Sequence, residues 1–438
     1  MSPELLGAVM MAALIAGICA GFPIAFTLVV ITVVFGYIGL GPMVFDLIAL
    51  QTIGLAKEEV LAAVPLFIFM GYMTEQAGLM QRLFLAFQLA LAPVRGSLYL
   101  AVILTATVFA MATGIVGAAV TVLGIMAGGT MIRAGYDTRL SAGVITAGGT
   151  LGILIPPSVL LLVMGPVMGV SVAKLYAAAF GPGLLLSALY IAYAMVRSHL
   201  RPALGPPLPP EARAASVTVL VYQLMTGLVP LAILISATLG SILAGLATPT
   251  EAAATGAFGS IVLALGYRQL TWGRLRDAMV KTLETTSMIV FLALTSNMFG
   301  AVFARLGTAT VVTDALLELR VPPFLMLLVL NAIFFLLGWP FEWPTIVLVF
   351  LPILLPIVQA MQYDLVWFAT LIAVNLQTTF LSPPVAMAAY YLKAVVPQWE
   401  LSDIMRGMMA FLVLQVIGLL VVMLYPPIAT WLPNRLFP

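Results

Sequence analysis

Two prolines stand side by side twice in this chain, each time inside an apolar run. They are Ile155-Pro156-Pro157-Ser158 within LGILIPPSVLLLVMG (151–165) and Leu381-Ser382-Pro383-Pro384 within NLQTTFLSPPVAM (375–387). Proline has no backbone N–H, and its ring clashes with the carbonyl four residues back, at about 3 kcal/mol inside a helix. The residue before it is also pushed out of helical geometry. Each pair therefore breaks a helix in surroundings too apolar to hydrogen-bond the freed backbone. Carbonyls without donors are left on one side of the break and amides without acceptors on the other. The partly negative end suits Na⁺ and the partly positive end suits a carboxylate. For either pair alone, a mere kink in a packed helix is the competing account.

The remaining reactive residues are few. The one cysteine, Cys19, lies in an apolar segment, where a lone thiol acts as a small buried hydrophobe. The one histidine, His199, stands at a helix-to-linker junction, so no metal site or Cys–His dyad is expected. Paired aspartates and a serine with a base are also missing from the apolar segments, so the chain does not read as an enzyme. Glu251 in TPTEAAA is either an acid within the membrane or, with Thr248 and Pro249, the N3 position of a capping box. Glu342 starts a helix or faces outward. Glu75 ends a span at the interface, and Lys174 and Lys393 snorkel to the surface. Trp339, Trp343, Trp367 and Trp399 suit an aromatic belt.

The elements that must hold these groups follow from composition. Of 438 residues, 63% are hydrophobic and 8% charged, against about 25% charged in soluble domains. The chain is a polytopic all-α membrane protein. A net charge of +2 gives no nucleic-acid signal. Spans of about 20 apolar residues fall near 4–20, 22–40, 60–78, 140–168 and 172–196, then 217–240, 249–267, 284–306, 365–393 and 404–425. The first reads as a retained span, without the basic start and cleavage site of a signal peptide. Segments 42–59 and 270–283 read as helices on the interface or as solvated connectors. The Pro-rich linker 198–216 favours extended polyproline geometry outside the membrane. Arg197, Arg201 and Arg213, then Arg268, Arg274, Arg276 and Lys281, then Arg82, Arg95, Arg133 and Arg139 gather on one side. The positive-inside rule makes that side cytoplasmic and both termini external.

The halves 1–197 and 217–438 overlay. Pro156 and Pro383 stand 227 residues apart, Pro23 and Pro249 226, and Gly71 and Gly78 stand 229 from Gly300 and Gly307. With five spans per half, the second half enters inverted, the pattern of secondary transporters. Two further apolar segments are interrupted at matching places: 98–130 at MATGIVGAA and 323–357 at LGWPFEWPT. Split there, arms of about 14 residues reach roughly 20 Å, short of the roughly 30 Å hydrocarbon core. Both are therefore expected to be re-entrant hairpins whose tips meet the broken helices 140–168 and 365–393. One Na⁺ site is expected from carbonyls around Gly152, Ile155 and Pro157 with the tip Thr113-Gly114 and the Ser158 hydroxyl nearby. Its twin would use Gly338, Thr379 and Ser382. Pro156, Ser158, Pro383 and Pro384 are the expected substrate contacts.

At GTLGILIPPSVLLLVMGPVMGVSVAKLYAAAFGPGLL (149–185), LATPTEAAATGAFGS (246–260), LPILLP (351–356) and NLQTTFLSPPVAM (375–387) the chain resembles the large membrane subunit of tripartite ATP-independent periplasmic (TRAP) transporters. LSPPVAMAAYYLK looks closest to the branch associated with mannitol or chloroaromatic compounds. The resemblance implies a Na⁺-coupled, elevator-type symporter in the bacterial inner membrane. It also implies a small four-helix membrane subunit on a separate chain and a periplasmic substrate-binding protein that delivers an organic anion, typically a carboxylate. The first tip, Thr113-Gly114-Ile115-Val116-Gly117, is poorer in serine than the family's, which shifts weight from side chains to carbonyls. A stand-alone Na⁺/dicarboxylate symporter is the neighbouring alternative, but neither tip carries the Ser-Asn-Thr triplet of that class. A channel would not need two opposed breaks.

Overall fold

The computed structural model describes residues 2–209, 216–383 and 385–437 and, of Thr113, the backbone alone. Among the described residues every regular element is helical, because only a helix satisfies its own backbone in an apolar run. The first half opens with Pro3–Cys19 (α1), Ile24–Leu40 (α2) and Met43–Ala56 (α3). Ala63–Gln76 (α4) and Leu79–Leu91 (α5) bend by 57° at Gly78. Ser97–Thr113 (α6) turns at Gly114 into Val116–Leu123 (α7), which runs through a π-helical turn into Gly129–Arg133 (α8). Thr138–Thr150 (α9), Val159–Met168 (α10) and Val172–Leu200 (α11) follow.

The second half begins with Val217–Ile235 (α12), Ser241–Leu243 (α13) and Pro249–Gly266 (α14). Trp272–Arg305 (α15) turns at Gly307 into Thr308–Glu318 (α16). Pro323–Leu337 (α17) reverses into Trp343–Thr345 (α18), which continues through a second π-helical turn into Leu351–Ala360 (α19). Leu365–Leu376 (α20), Met387–Val395 (α21), Leu401–Leu424 (α22) and Pro427–Leu436 (α23) complete the chain. Gly78 and Gly307 adopt the same left-handed turn, with φ of +73° and +77°. A side chain would be strained at either.

The halves interlock where α9 crosses α22. A Cβ on Gly407 would lie 2.0 Å from the Arg139 carbonyl oxygen, and one on Gly143 would lie 2.5 Å from that of Gly407. Only glycine permits so close an approach, the usual device of membrane helix pairs. The Arg139–Asp403 ion pair at 2.9 Å closes the same crossing. Deeper in, Gln415 of α22 donates to Thr150 (3.2 Å), which in turn donates to Gln377 (3.1 Å).

Several expectations change. Segment 270–283 is no separate helix on the interface: it is the first part of the 34-residue α15. Its charges mark the wet end of a long helix, which periodicity alone does not distinguish from an amphipathic one. Helices α5 and α16, past the two glycines, were not among the expected spans. The hairpin arms are longer than 14 residues: α6 has 17, and the return arms Val116–Arg133 and Trp343–Ala360 have 18 each. Arm length therefore does not separate a re-entrant hairpin from two spans. The linker is not extended throughout. Pro202–Leu204 forms a 3₁₀ turn docked on the base of α6, with Gly96 donating to Gly205 at 2.9 Å and Asp137 to Leu204 at 3.0 Å. Cys19 is exposed at the end of α1 rather than buried.

Candidate functional site

The first break is built by its own sequence. Helix α9 tightens into a 3₁₀ turn at Leu151–Ile153, and α10 restarts at Val159 with Ser158 as N-cap. Because Pro156 and Pro157 have no N–H, the carbonyls of Gly152 and Ile153 lose their helical donors. Ser158 Oγ donates to the Ile153 carbonyl, which leaves the Gly152 carbonyl without a helical donor. Tyr176 donates to the Ser158 carbonyl at 3.3 Å. The second break has the same construction. Gln377–Phe380 is a 3₁₀ turn, and Pro383 removes the helical donor of Thr379, the residue 227 positions after Gly152. Ser382 Oγ donates to Thr378 at 2.7 Å, and Thr379 Oγ1 to Leu376 at 2.8 Å.

Each hairpin tip sits on a break. Gly114, at φ +62°, lies where a Cβ would be 3.6 Å from the Val159 nitrogen and 3.7 Å from the Pro157 carbonyl oxygen. A Cβ on Gly338 would lie 2.4 Å from Thr379 Cγ2. The first hairpin also reaches the other half: Gly117 packs on the Tyr391 ring, with a Cβ there 3.1 Å from its edge.

Both tips and both breaks border one cavity of about 650 Å³, the size of a small-molecule site. Gly114, Gly338 and Thr379 line it, as do their neighbours Ile115, Ile153 and Val159. Gly152, Ile155, Pro156, Pro157, Ser158 and Ser382 are buried and outside this lining, and Pro383 is exposed but also outside it. The Ser158 hydroxyl is occupied as a cap and as donor to Ile153, so it is no free ligand. Ile155 packs toward α11, where a Cβ on Gly183 would be 2.6 Å from its Cγ1. Pro384 and the Thr113 side chain lie outside the described residues.

Sequence reasoning missed the charged part of the cavity. Glu75 and Tyr72 of α4, Lys281 and Thr285 of α15, and Glu342 of the second tip all line it. Glu75 Oε2 is buried without a hydrogen-bond partner. Tyr72 and Thr285 share a hydrogen bond of 3.1 Å, and Lys281 Nζ stands 5.6 Å from the Tyr72 ring centre. Glu75 also borders a second cavity of about 620 Å³, whose lining includes Arg82, Gln223, Gln269 and Arg274. The signal was present: Glu75, the only acid between residues 60 and 136, lies in an apolar run.

The tempting side chains now sort themselves. Glu251 is the N3 residue of a capping box. The Thr248 amide donates to its carboxylate at 2.8 Å, and its own amide donates to Thr248 Oγ1 at 3.3 Å. Glu342 opens into the cavity. Lys393 Nζ donates to the carbonyls of Pro397 and Trp399 at 2.9 and 2.8 Å, just past the end of α21. Of the four tryptophans expected in an aromatic belt, Trp339 and Trp343 line the cavity and Trp399 is buried.

Comparison with known proteins places this architecture. The chain is 28% identical over 392 residues to the C4-dicarboxylate TRAP transporter large permease protein DctM of Pseudomonas aeruginosa, covering 89% of this chain and 90% of that one. It is also 28% identical over 380 residues to the sialic acid TRAP transporter permease protein SiaT of Haemophilus influenzae, covering 86% of this chain but 60% of that longer relative. The solved structure of the Alcanivorax borkumensis YdaH transporter, described as having an unusual topology, is similar over the full length of both chains with a TM-score of 0.63. At 17% identity that likeness is one of fold. The family described as the DctM component of the tripartite ATP-independent periplasmic transporter matches residues 8–428, and the chain belongs to it.

Proposed function

We propose that this chain is the permease subunit of a Na⁺-coupled importer of an organic anion, most simply a carboxylate. A periplasmic binding protein hands the anion over, and a small four-helix subunit completes the membrane complex in the bacterial inner membrane. The observation that carries the reading is the convergence of two hairpin tips and two proline-broken helices on one cavity. The freed carbonyl of Thr379, in the lining, and that of Gly152, one residue before the lining residue Ile153, are uncharged oxygens of the kind that hold a small hard cation. Two carboxylates, Glu75 and Glu342, and one ammonium, Lys281, face the same space. An anion entering beside that excess of negative charge is favoured when cations enter with it, which is a physical reason for coupling.

On this reading the halves are inverted repeats, the linker is cytoplasmic and both termini are external. The hairpins and broken helices move together as an elevator against the remaining helices. Relatives named for C4-dicarboxylates and sialic acid support an anionic cargo. The test is uptake into proteoliposomes containing both membrane subunits, with the binding protein outside. Uptake should require a Na⁺ gradient and both partners. Full uptake by this chain alone would instead make it a stand-alone symporter.

A further inference from the structure

We infer that the cargo is an amphipathic monocarboxylate, with its carboxylate received by Lys281 and its apolar body held by the aromatic wall of the second hairpin tip. The inference rests on the anion-import reading above. Among the described residues lining the cavity, Lys281 is the one cation. Its Nζ stands 5.6 Å from the centre of the Tyr72 ring, whose hydroxyl shares a hydrogen bond with Thr285, and it interacts electrostatically with Glu75. A second carboxylate on the cargo would find no second cation there. It would meet Glu75 or Glu342, and like charges in a partly desolvated space repel strongly.

The rest of the lining is unsuited to a polyhydroxylated body. The hydroxyls of Tyr72 and Thr285 bond each other, and that of Thr379 bonds the Leu376 carbonyl. A polyhydroxylated body would find Thr121 and the carboxylates of Glu75 and Glu342 as further side-chain partners, and each hydroxyl beyond those would lose water at a cost. Trp339, Phe341, Trp343 and Tyr391 instead present a broad apolar surface. Rings of that kind bury an aryl or branched alkyl group well. The cavity thus selects for one negative charge and an apolar remainder, unlike the cargoes for which the relatives are named.

The experiment is equilibrium binding to the purified complex of both membrane subunits at saturating Na⁺, read by thermal shift. The probes are phenylacetate, 4-methylpentanoate, succinate and gluconate. The two apolar monocarboxylates should stabilise the complex, and succinate and gluconate should not. Lys281→Gln should weaken phenylacetate binding by roughly tenfold to a hundredfold, the loss of one charge-assisted contact. Lys281→Arg should keep binding within roughly threefold, since the charge remains. A larger shift with succinate or gluconate than with phenylacetate overturns the inference, as does unchanged phenylacetate binding in Lys281→Gln. The probe ranking uses the unaltered complex and so does not depend on how a variant folds. Binding needs neither a gradient nor the binding protein, so failure of the import reading would show in the uptake assay without moving this result.

Discussion

Thr150 donates a hydrogen bond to Gln377 at 3.1 Å, and the two residues stand 227 positions apart in the chain. That is also the separation of Pro156 from Pro383. On the proposed inverted-repeat reading the two residues occupy matching positions, and their contact joins the two halves. Gln415 joins it from α22, and the Gln377 Nε2 and Gln415 Oε1 atoms are buried without further partners. Thr150→Val should therefore leave two glutamines unsatisfied and cost about 1–3 kcal/mol. Thr150→Val with Gln377→Leu should cost less than the sum of the single changes. Thermal unfolding of the purified complex measures both, and additive losses would mean that the pair is not coupled.

The contact between the second tip and the second break yields a paired prediction. Gly338→Ala puts a methyl 2.4 Å from Thr379 Cγ2, and overpacking of that kind costs about 1–3 kcal/mol. Uptake should fall by about tenfold if the strain acts on the transporting state. Thr379→Ser removes the offending Cγ2 and keeps the hydroxyl, so the double variant should recover most of the rate. No recovery would place the effect elsewhere than in this contact.

The Pro-Pro breaks, the apolar helices and the interrupted segments were legible in the sequence because proline chemistry and hydrophobic length act locally. Gly114 against Pro157 and Gly338 against Thr379 follow from pairing each interruption with its break. The charged lining was not legible. Glu75 lies at the end of α4 and Lys281 in the third turn of α15, about 200 residues on, and only packing of α4 on α15 brings them to one cavity. Each alone resembles an interfacial charge. Ser158 misled for a related reason: a hydroxyl beside a broken helix suits a ligand or a cap equally by spacing, and the position of Ile153 decides.

Ser158 should matter for stability through that cap. Ser158→Ala removes the donor to Ile153 and the N-cap of α10, at about 0.5–2 kcal/mol. It should also weaken Na⁺ activation, because the loosened turn carries the Gly152 carbonyl. Na⁺ titration of uptake checks the second effect, and activation that is unchanged alongside lowered stability would detach the ion site from this turn.

Glu251 separates a structural acid from a transporting one. Gln at the N3 position keeps the capping box, while Ala breaks it. Glu251→Gln should leave uptake within about twofold, and Glu251→Ala should lower stability by about 1 kcal/mol. A loss of transport in Glu251→Gln would show that the charge itself is used.

Glu75 makes the opposite prediction. Glu75 lines the cavity with its Oε2 buried and without a hydrogen-bond partner, and the Lys281 ammonium offsets part of its charge, so entering cations can balance the remainder. On the proposed Na⁺-coupled reading, Glu75→Gln removes one negative charge that co-transported cations would offset. Uptake should then reach half-maximal rate at a different Na⁺ concentration, with a lower Hill coefficient. In the unaltered protein, net inward movement of positive charge should make uptake faster at negative internal potential, by up to roughly 2.3 kcal/mol per charge per 100 mV. If Glu75 helps set the number of cations moved, Glu75→Gln should flatten that voltage dependence as well. Measurement of uptake against an imposed K⁺ diffusion potential, with and without the substitution, tests the two together. An altered Na⁺ requirement with an unchanged voltage slope would mean that Glu75 acts on affinity alone and carries no part of the moved charge.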